Sequence, residues 1–230
     1  CDFQSGLWKG KKEPLINAYV IRNTNFTKSG ELSFDDVAEL EVETKQLEKR
    51  TLQRGDIILE KSGGGEKTPV GRVCYFNNES EKPFSLSNFT ARLRVLDNSE
   101  LYPLFLHRFL YFLYLSGKTE KMQKHSTGIR NLQLTQYKEI DIPLPPLPVQ
   151  KQIVEKLDAA YADIDKAISA TQKNIENAEA LFLSTLDRLV NDSKLGKEIL
   201  VGETCELFQG LAINKKTKHL LVEKSDKPLL

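Results

Sequence analysis

From Pro148 to Val190 the chain has no glycine, and no proline after the first residue. Across those 43 residues, apolar or small side chains recur at Ile153, Leu157, Ala160, Ile164, Ile168, Thr171, Ile175, Ala178, Phe182, Thr185 and Leu189. The steps are all of three or four residues, with one stutter between Ile164 and Ile168, which is the heptad pattern of a helix that pairs along its length. At about 1.5 Å per residue such a helix spans roughly 64 Å, too long for the core of a domain this size. It is therefore expected to protrude, and its seam, above all Ile153, Leu157, Ile164, Ile168, Ile175, Phe182 and Leu189, needs a partner helix. Asn191 to Gly196 has the composition of a helix end and linker.

The rest of the chain must supply any function beyond pairing. At 230 residues, 40% hydrophobic and 28% charged, it reads as one large or two small ordinary globular domains. No run of 18 apolar residues and no signal-peptide pattern occurs, so neither membrane insertion nor export is expected. Cys1, Cys74 and Cys205 are too few and too scattered for a disulfide framework or a zinc site, which suits a reducing cytoplasm. The chain starts at Cys1 rather than Met and stops inside the apolar Lys227-Pro228-Leu229-Leu230, so it is expected to be a piece of a longer protein.

A net charge of +1 hides an uneven distribution. Residues 1–147 hold 21 Lys and Arg against 19 Asp and Glu, but seven of those acids lie between Glu31 and Glu48. Elsewhere the segment is basic. Residues 117–131 carry Lys118, Lys121, Lys124, His125 and Arg130 against Glu120 alone, and Lys9, Lys11 and Lys12 follow Trp8. Such a patch suits nucleic acid, and equally a solvated face.

Short apolar runs punctuated by glycine fill residues 15–115. Asn17–Arg22, Asp56–Leu59 and Val70–Phe76 read as strands, and Ser62-Gly63-Gly64-Gly65 reads as a loop whose backbone can approach another molecule. Leu101–Ser116 is apolar and aromatic, with Tyr102, Phe105, Phe109 and Phe112 at helical spacing, as in a core helix. Pro143, Pro145, Pro146 and Pro148 then form a stiff extended lead into the long helix. Val201–Leu230 opens another strand-rich unit.

Catalytic motifs are missing. There is no phosphate-binding loop, and Gly63–Gly65 lacks the spacing of a dinucleotide fingerprint. His107, His125 and His219 lie far apart without metal-site spacing, so neither a metal nor a cofactor is expected. Asp36 followed by Glu43-Thr44-Lys45 has the order of a magnesium nuclease triplet. An acidic loop facing away from DNA is the simpler reading in a chain so rich in Glu and Lys.

The segment Ile140-Asp-Ile-Pro-Leu-Pro-Pro-Leu-Pro-Val-Gln150-Lys-Gln-Ile-Val-Glu-Lys-Leu157 resembles the junction of recognition domain and conserved helix in type I restriction-modification specificity subunits. Gly55–Leu59, Ser62-Gly-Gly, Val70-Gly-Arg72 and Gly128-Ile-Arg-Asn-Leu132 resemble the recognition-domain motifs of that family. Val201–Gly210 with Ile213-Asn-Lys-Lys216 resembles the opening of a second recognition domain, and Gln4–Gly10 the same opening in the first. The resemblance implies an α+β fold: a mixed strand and helix recognition domain over residues 1–147, a coiled-coil-type spacer helix over 148–190, and an incomplete second recognition domain over 191–230. It implies a non-catalytic subunit that reads a split target in double-stranded DNA for methyltransferase subunits and, through them, a motor-nuclease subunit. Two other functions compete with it: a module whose helix only docks a partner, and the magnesium nuclease.

If the chain reads DNA, basic side chains must meet phosphates or guanine, and amides can meet adenine N6 and N7 together. The basic candidates are Lys9, Lys11, Lys12, Arg22, Lys61, Lys67, Arg72, Lys121, Lys124 and Arg130; the amide candidates are Asn23, Asn25, Gln123 and Asn131. A copy lacking a second helix is expected to pair its seam with the same helix of another copy.

Overall fold

The computed structural model describes residues 1–8, 12–27, 29–65, 68–126, 128–191, 196 and 199–206. In chain order the elements are β1 (Asp2–Ser5), β2 (Leu15–Ile21), a 3-10 turn at Asn23–Asn25, β3 (Ala38–Glu43), α1 (Thr44–Arg50), β4 (Ile57–Glu60), β5 (Val73–Tyr75), β6 (Phe84–Leu86) and β7 (Thr90–Arg94). There follow α2 (Pro103–Leu115), a 3-10 turn at Lys118–Met122, the hairpin β8 (Gln123–Ser126) and β9 (Ile129–Leu132), α3 (Leu134–Lys138), α4 (Leu147–Val190) and α5 (Val201–Thr204). The fold is α+β, and α4 is the long helix that the apolar stripe predicts. Among the described residues no helix is long and apolar enough to cross a membrane.

The strands form an antiparallel sheet in the order β1-β7-β4-β5 and a three-stranded sheet in the order β3-β2-β6, in which β2 pairs antiparallel with β3 and parallel with β6. β4 is apolar without alternation because both of its faces are covered. Ile57 and Leu59 point into a core shared with Val73, Leu93 and the α2 residues Leu106, Leu110 and Leu113. Ile58, from the other face, joins Cys74, Phe76, Phe84, Leu86 and Ile21 in a second core. Two cores therefore meet across one strand.

α2 begins with Pro103 at its first turn, where a missing N–H costs nothing, and ends at Gly117, whose φ of 72° stops the helix. The aromatic stripe expected to be core is only partly so. Phe105 is buried and Phe109 packs against the first core, but Phe112 is 58% exposed. The helix rotates Leu106, Leu110 and Leu113 inward instead, because the leucines share a stripe with Tyr111 and His107 that fits the sheet.

The start of α4 is fixed by an amide. Gln150 is fully buried; its Nε2 donates to the carbonyls of Glu100 and Pro145, both at 2.8 Å, and its Oε1 accepts the N–H of Tyr102 at 2.8 Å. Arg108 on α2 adds an ion pair to Asp158 on α4 at 2.7 Å. Compactness divides the chain into Cys1–Ala167 and Ile168–Leu230, a division that falls within α4. The described part of the second unit comprises the remainder of α4 and the short α5. Most of the segment expected to open a second recognition domain, residues 207–230, lies outside the described residues.

Candidate nucleic-acid interface

At the end of β4 three segments are locked together by their main chains. The glycine loop after Glu60 joins the β8–β9 hairpin: Gly63 N donates to Arg130 O at 3.1 Å, Arg130 N to Gly64 O at 3.0 Å, and Leu132 N to Lys61 O at 2.8 Å. Ser62 Oγ bonds Asn131 Oδ1 across the same seam. On its other side the loop joins the turn between β6 and β7, where Phe89 O accepts Lys61 N at 3.0 Å and Ser62 N at 3.1 Å. Gly63 has φ +117°, a conformation that glycine alone adopts without strain, so the loop turns where it does.

A cluster of polar side chains lies under this loop. Asn23 Nδ2 donates to Ser62 O at 2.7 Å and to Glu60 Oε1 at 3.1 Å. The carboxylate of Glu60 also accepts Arg72 Nε at 3.3 Å, while Arg72 Nη1 donates to the carbonyls of Phe26 and Thr27. Burial raises the Glu60 carboxyl above its ordinary pKa, against the opposing pull of Arg72 and Asn23.

The predicted basic and amide residues fall into three groups. Arg72, Asn25 and Gln123 have their polar groups turned inward. Asn25 is 2% exposed, accepting Arg22 N and donating to Ser33 O and Asp36 O. Gln123 Nε2 donates to Val70 O at 2.8 Å, and its Oε1 accepts Val70 N. Asn23, Asn131 and Arg22 are partly exposed but already bonded, Arg22 to Asp36 in the acidic segment at 3.4 Å. Lys61 lies on the glycine loop, Lys121 in the 3-10 turn before the hairpin, and Lys124 and Arg130 on the hairpin itself. There Lys124 opposes Asn131 and Arg130 opposes His125, so that these two side chains leave from opposite faces. Lys121 and Lys124 are exposed, and Lys61 and Arg130 partly so.

Among the described residues, Lys61, Lys121 and Lys124 form no salt bridge. Burial lowers the pKa of the Lys61 ammonium below its ordinary value, as expected of a cation that has lost water without gaining a carboxylate. Lys12 is exposed, and its N–H bonds Glu43 some distance along the chain from the loop. Lys9, Lys11 and Lys67 lie outside the described residues. The sequence reading did not pick out Phe89, a 40% exposed aromatic in the turn that holds the glycine loop; an aromatic in a tight turn between two short strands is the signal it carries.

The nuclease triplet is not assembled. Asp36 pairs with Arg22, and Glu43 accepts Lys12 N and Gln46 Nε2 at the far end of β3. A six-residue strand separates the two acids by about 20 Å. No cluster of His, Cys, Asp or Glu able to hold a metal occurs among the described residues.

The model of the type I restriction modification DNA specificity domain matches residues 3–177. The chain is 32% identical over 156 residues to the type I restriction enzyme EcoKI specificity subunit of Escherichia coli strain K12, covering 66% of this chain and 30% of that protein. It is 26% identical over 190 residues to the putative type I restriction enzyme MjaX specificity subunit of Methanocaldococcus jannaschii, covering 80% and 43%. It thus spans less than half the length of these curated relatives. Among solved structures it is similar to the HsdS subunit from Thermoanaerobacter tengcongensis, with a TM-score of 0.47 and 16% identity over 81% of this chain and 41% of that one. The S subunit of a type I restriction-modification system from M. genitalium gives a TM-score of 0.45 and 17% identity over 94% and 53%.

Proposed function

Because the chain belongs to the type I restriction-modification DNA specificity family, we propose that it recognises a DNA sequence for other subunits and catalyses nothing itself. The observation that carries this reading is the face at the end of β4. There, main-chain hydrogen bonds fix three segments, two of which carry Lys61, Lys124 and Arg130, with Lys121 in the 3-10 turn that leads into the hairpin. Phosphate contacts position such a protein and base edges specify, so these basic side chains supply the positioning contacts. Residues 1–147 form the recognition domain, 148–190 the spacer helix, and 191–230 the opening of a second recognition domain. The protein works in the cytoplasm on double-stranded DNA, with methyltransferase subunits and, through them, a motor-nuclease subunit, and its target is bipartite.

The second surface is the seam of α4. Ile164, Ile168, Ile175, Phe182 and Leu189 are all exposed, which leaves a long apolar stripe in need of a partner helix. In this chain alone, a second copy running antiparallel is the partner.

Fluorescence anisotropy with a labelled duplex tests the DNA reading. If about four basic residues meet phosphate, log affinity falls with log salt at a slope near −3 to −4. A response flat in salt removes the electrostatic basis of the proposal.

A further inference from the structure

We propose that Phe89 is a specificity-determining residue that reads the C5-methyl group of a thymine in the target. The inference rests on the DNA-recognition reading above and names the chemistry of one contact within it.

A single exposed phenylalanine on a surface is ordinary. Phe89 differs in how it is held and in what surrounds it. Its carbonyl is the acceptor that ties down the glycine loop through Lys61 N and Ser62 N. The turn that carries it is closed by Thr90 N and Thr90 Oγ1, which both donate to Ser87 O, and is anchored below by Ser87 N to Ile21 O at 2.9 Å. From the remaining side Leu7 bridges to Ser87, an approach that needs Gly6, since a Cβ there would stand 1.9 Å from Ser87 O. The backbone of the turn is therefore held from three sides. Phe89 is nonetheless 40% exposed, with its Cδ1 3.6 Å from where a Cβ on Gly63 would stand.

An apolar ring on a rigid support inside a polar and basic face is costly in water and useful on a duplex. The thymine methyl is the one apolar group that base pairs present in the major groove, and an aromatic side chain is a suitable contact for it. Polar side chains cannot supply that discrimination. Because the turn already fixes the backbone that carries the ring, only its two side-chain torsions remain to be ordered on binding. Burying one methyl group against it corresponds to about a fourfold gain in affinity.

The experiment uses the full chain. Duplexes selected by the wild-type chain from a randomised library at low salt define its preferred sequence. Each thymine of that sequence is then replaced in turn by deoxyuridine, which removes only the methyl group. The expected result is one position at which deoxyuridine weakens wild-type binding about fourfold, while Phe89→Ala binds thymine and deoxyuridine there equally and keeps the wild-type salt slope. Phe89→Leu is expected to retain part of the preference. Should no thymine be sensitive to the replacement in the wild type, the proposal is overturned whatever the variants do. A sensitive thymine whose effect persists in Phe89→Ala overturns it too, while leaving DNA recognition intact. Failure to select any sequence overturns both.

Discussion

The side-chain oxygen of Gln150, at the first turn of α4, accepts the backbone N–H of Tyr102, the residue before α2, at 2.8 Å. With its two donated bonds to Glu100 O and Pro145 O, this amide is the joint between the segment that leads into α2 and the long helix. Replacing Gln150 by Leu leaves the three backbone groups around this fully buried side chain without their partner. We expect a loss of about 3 kcal/mol, on the basis of about 1 kcal/mol or more for each unpaired buried group. Urea unfolding measures it, and a change below about 1 kcal/mol would show that water fills the joint.

Arg72 should behave as a structural residue and not as a DNA contact. Its removal leaves the buried Glu60 carboxylate without its cation and frees the carbonyls of Phe26 and Thr27. Arg72→Ala is expected to cost about 3 to 5 kcal/mol of stability, the range for breaking a buried pair. Lys124→Ala, in contrast, should leave stability unchanged and weaken binding equally on every sequence, lowering the salt slope by about one. Sequence-selective weakening by Lys124→Ala would mean that it touches a base.

His107 makes stability fall in acid. It is 2% exposed, stacked on Tyr111, and burial lowers its pKa to about 4 from an unfolded value near 6.5. A histidine with a depressed folded pKa carries no penalty above pH 6.5. The penalty grows as pH falls from 6.5 towards 4 and then levels off, at about 3 kcal/mol for a shift of this size. His107→Phe keeps the aromatic stacking and removes the titration. Its stability relative to wild type should therefore rise between pH 6.5 and 4, as followed by thermal melts, and parallel curves would place the acid sensitivity elsewhere.

Pairing through α4 predicts that the chain dimerises in light scattering at micromolar concentration, and that Ile168→Asp returns it to a monomer. Ile168 is 61% exposed, so the aspartate is harmless to the isolated helix and costly only inside a seam. A wild-type chain that stays monomeric at high concentration refutes self-pairing.

The parts of the fold most legible from sequence were those with a local period. α4 announced itself through its stripe, and β4 through its short unbroken apolar run. α2 was legible as a helix but not in its orientation, since choosing between the Phe112 face and the Leu106 face requires knowing what lies opposite. The pairings of β1 with β7 and of β2 with β6 join residues far apart in sequence, and no local pattern encodes them.

The candidate site was legible in composition more than in role. Asn25, Gln123 and Arg72 offer the same donors to a backbone carbonyl as to a base, so residue type could not separate them from Lys124 or Lys61. The separating facts are burial and geometry, and both arise only after folding. Phe89 was overlooked for the complementary reason: an aromatic in a strand-rich region reads as core until the turn that exposes it is seen.

The glycine loop, the β6–β7 turn and the hairpin are joined almost wholly through peptide groups. Peptide groups are the same whatever side chains hang from them, so the scaffold is indifferent to the text it displays. Substitutions at Asn23 or Asn131 disturb a bond or two, but those at Lys124, His125 or Phe89 leave every loop-fixing main-chain bond in place. Under the proposed function, such an arrangement would let the preferred sequence drift by point substitution under a constant backbone, so that a population of such proteins could diversify its targets without first re-inventing the fold.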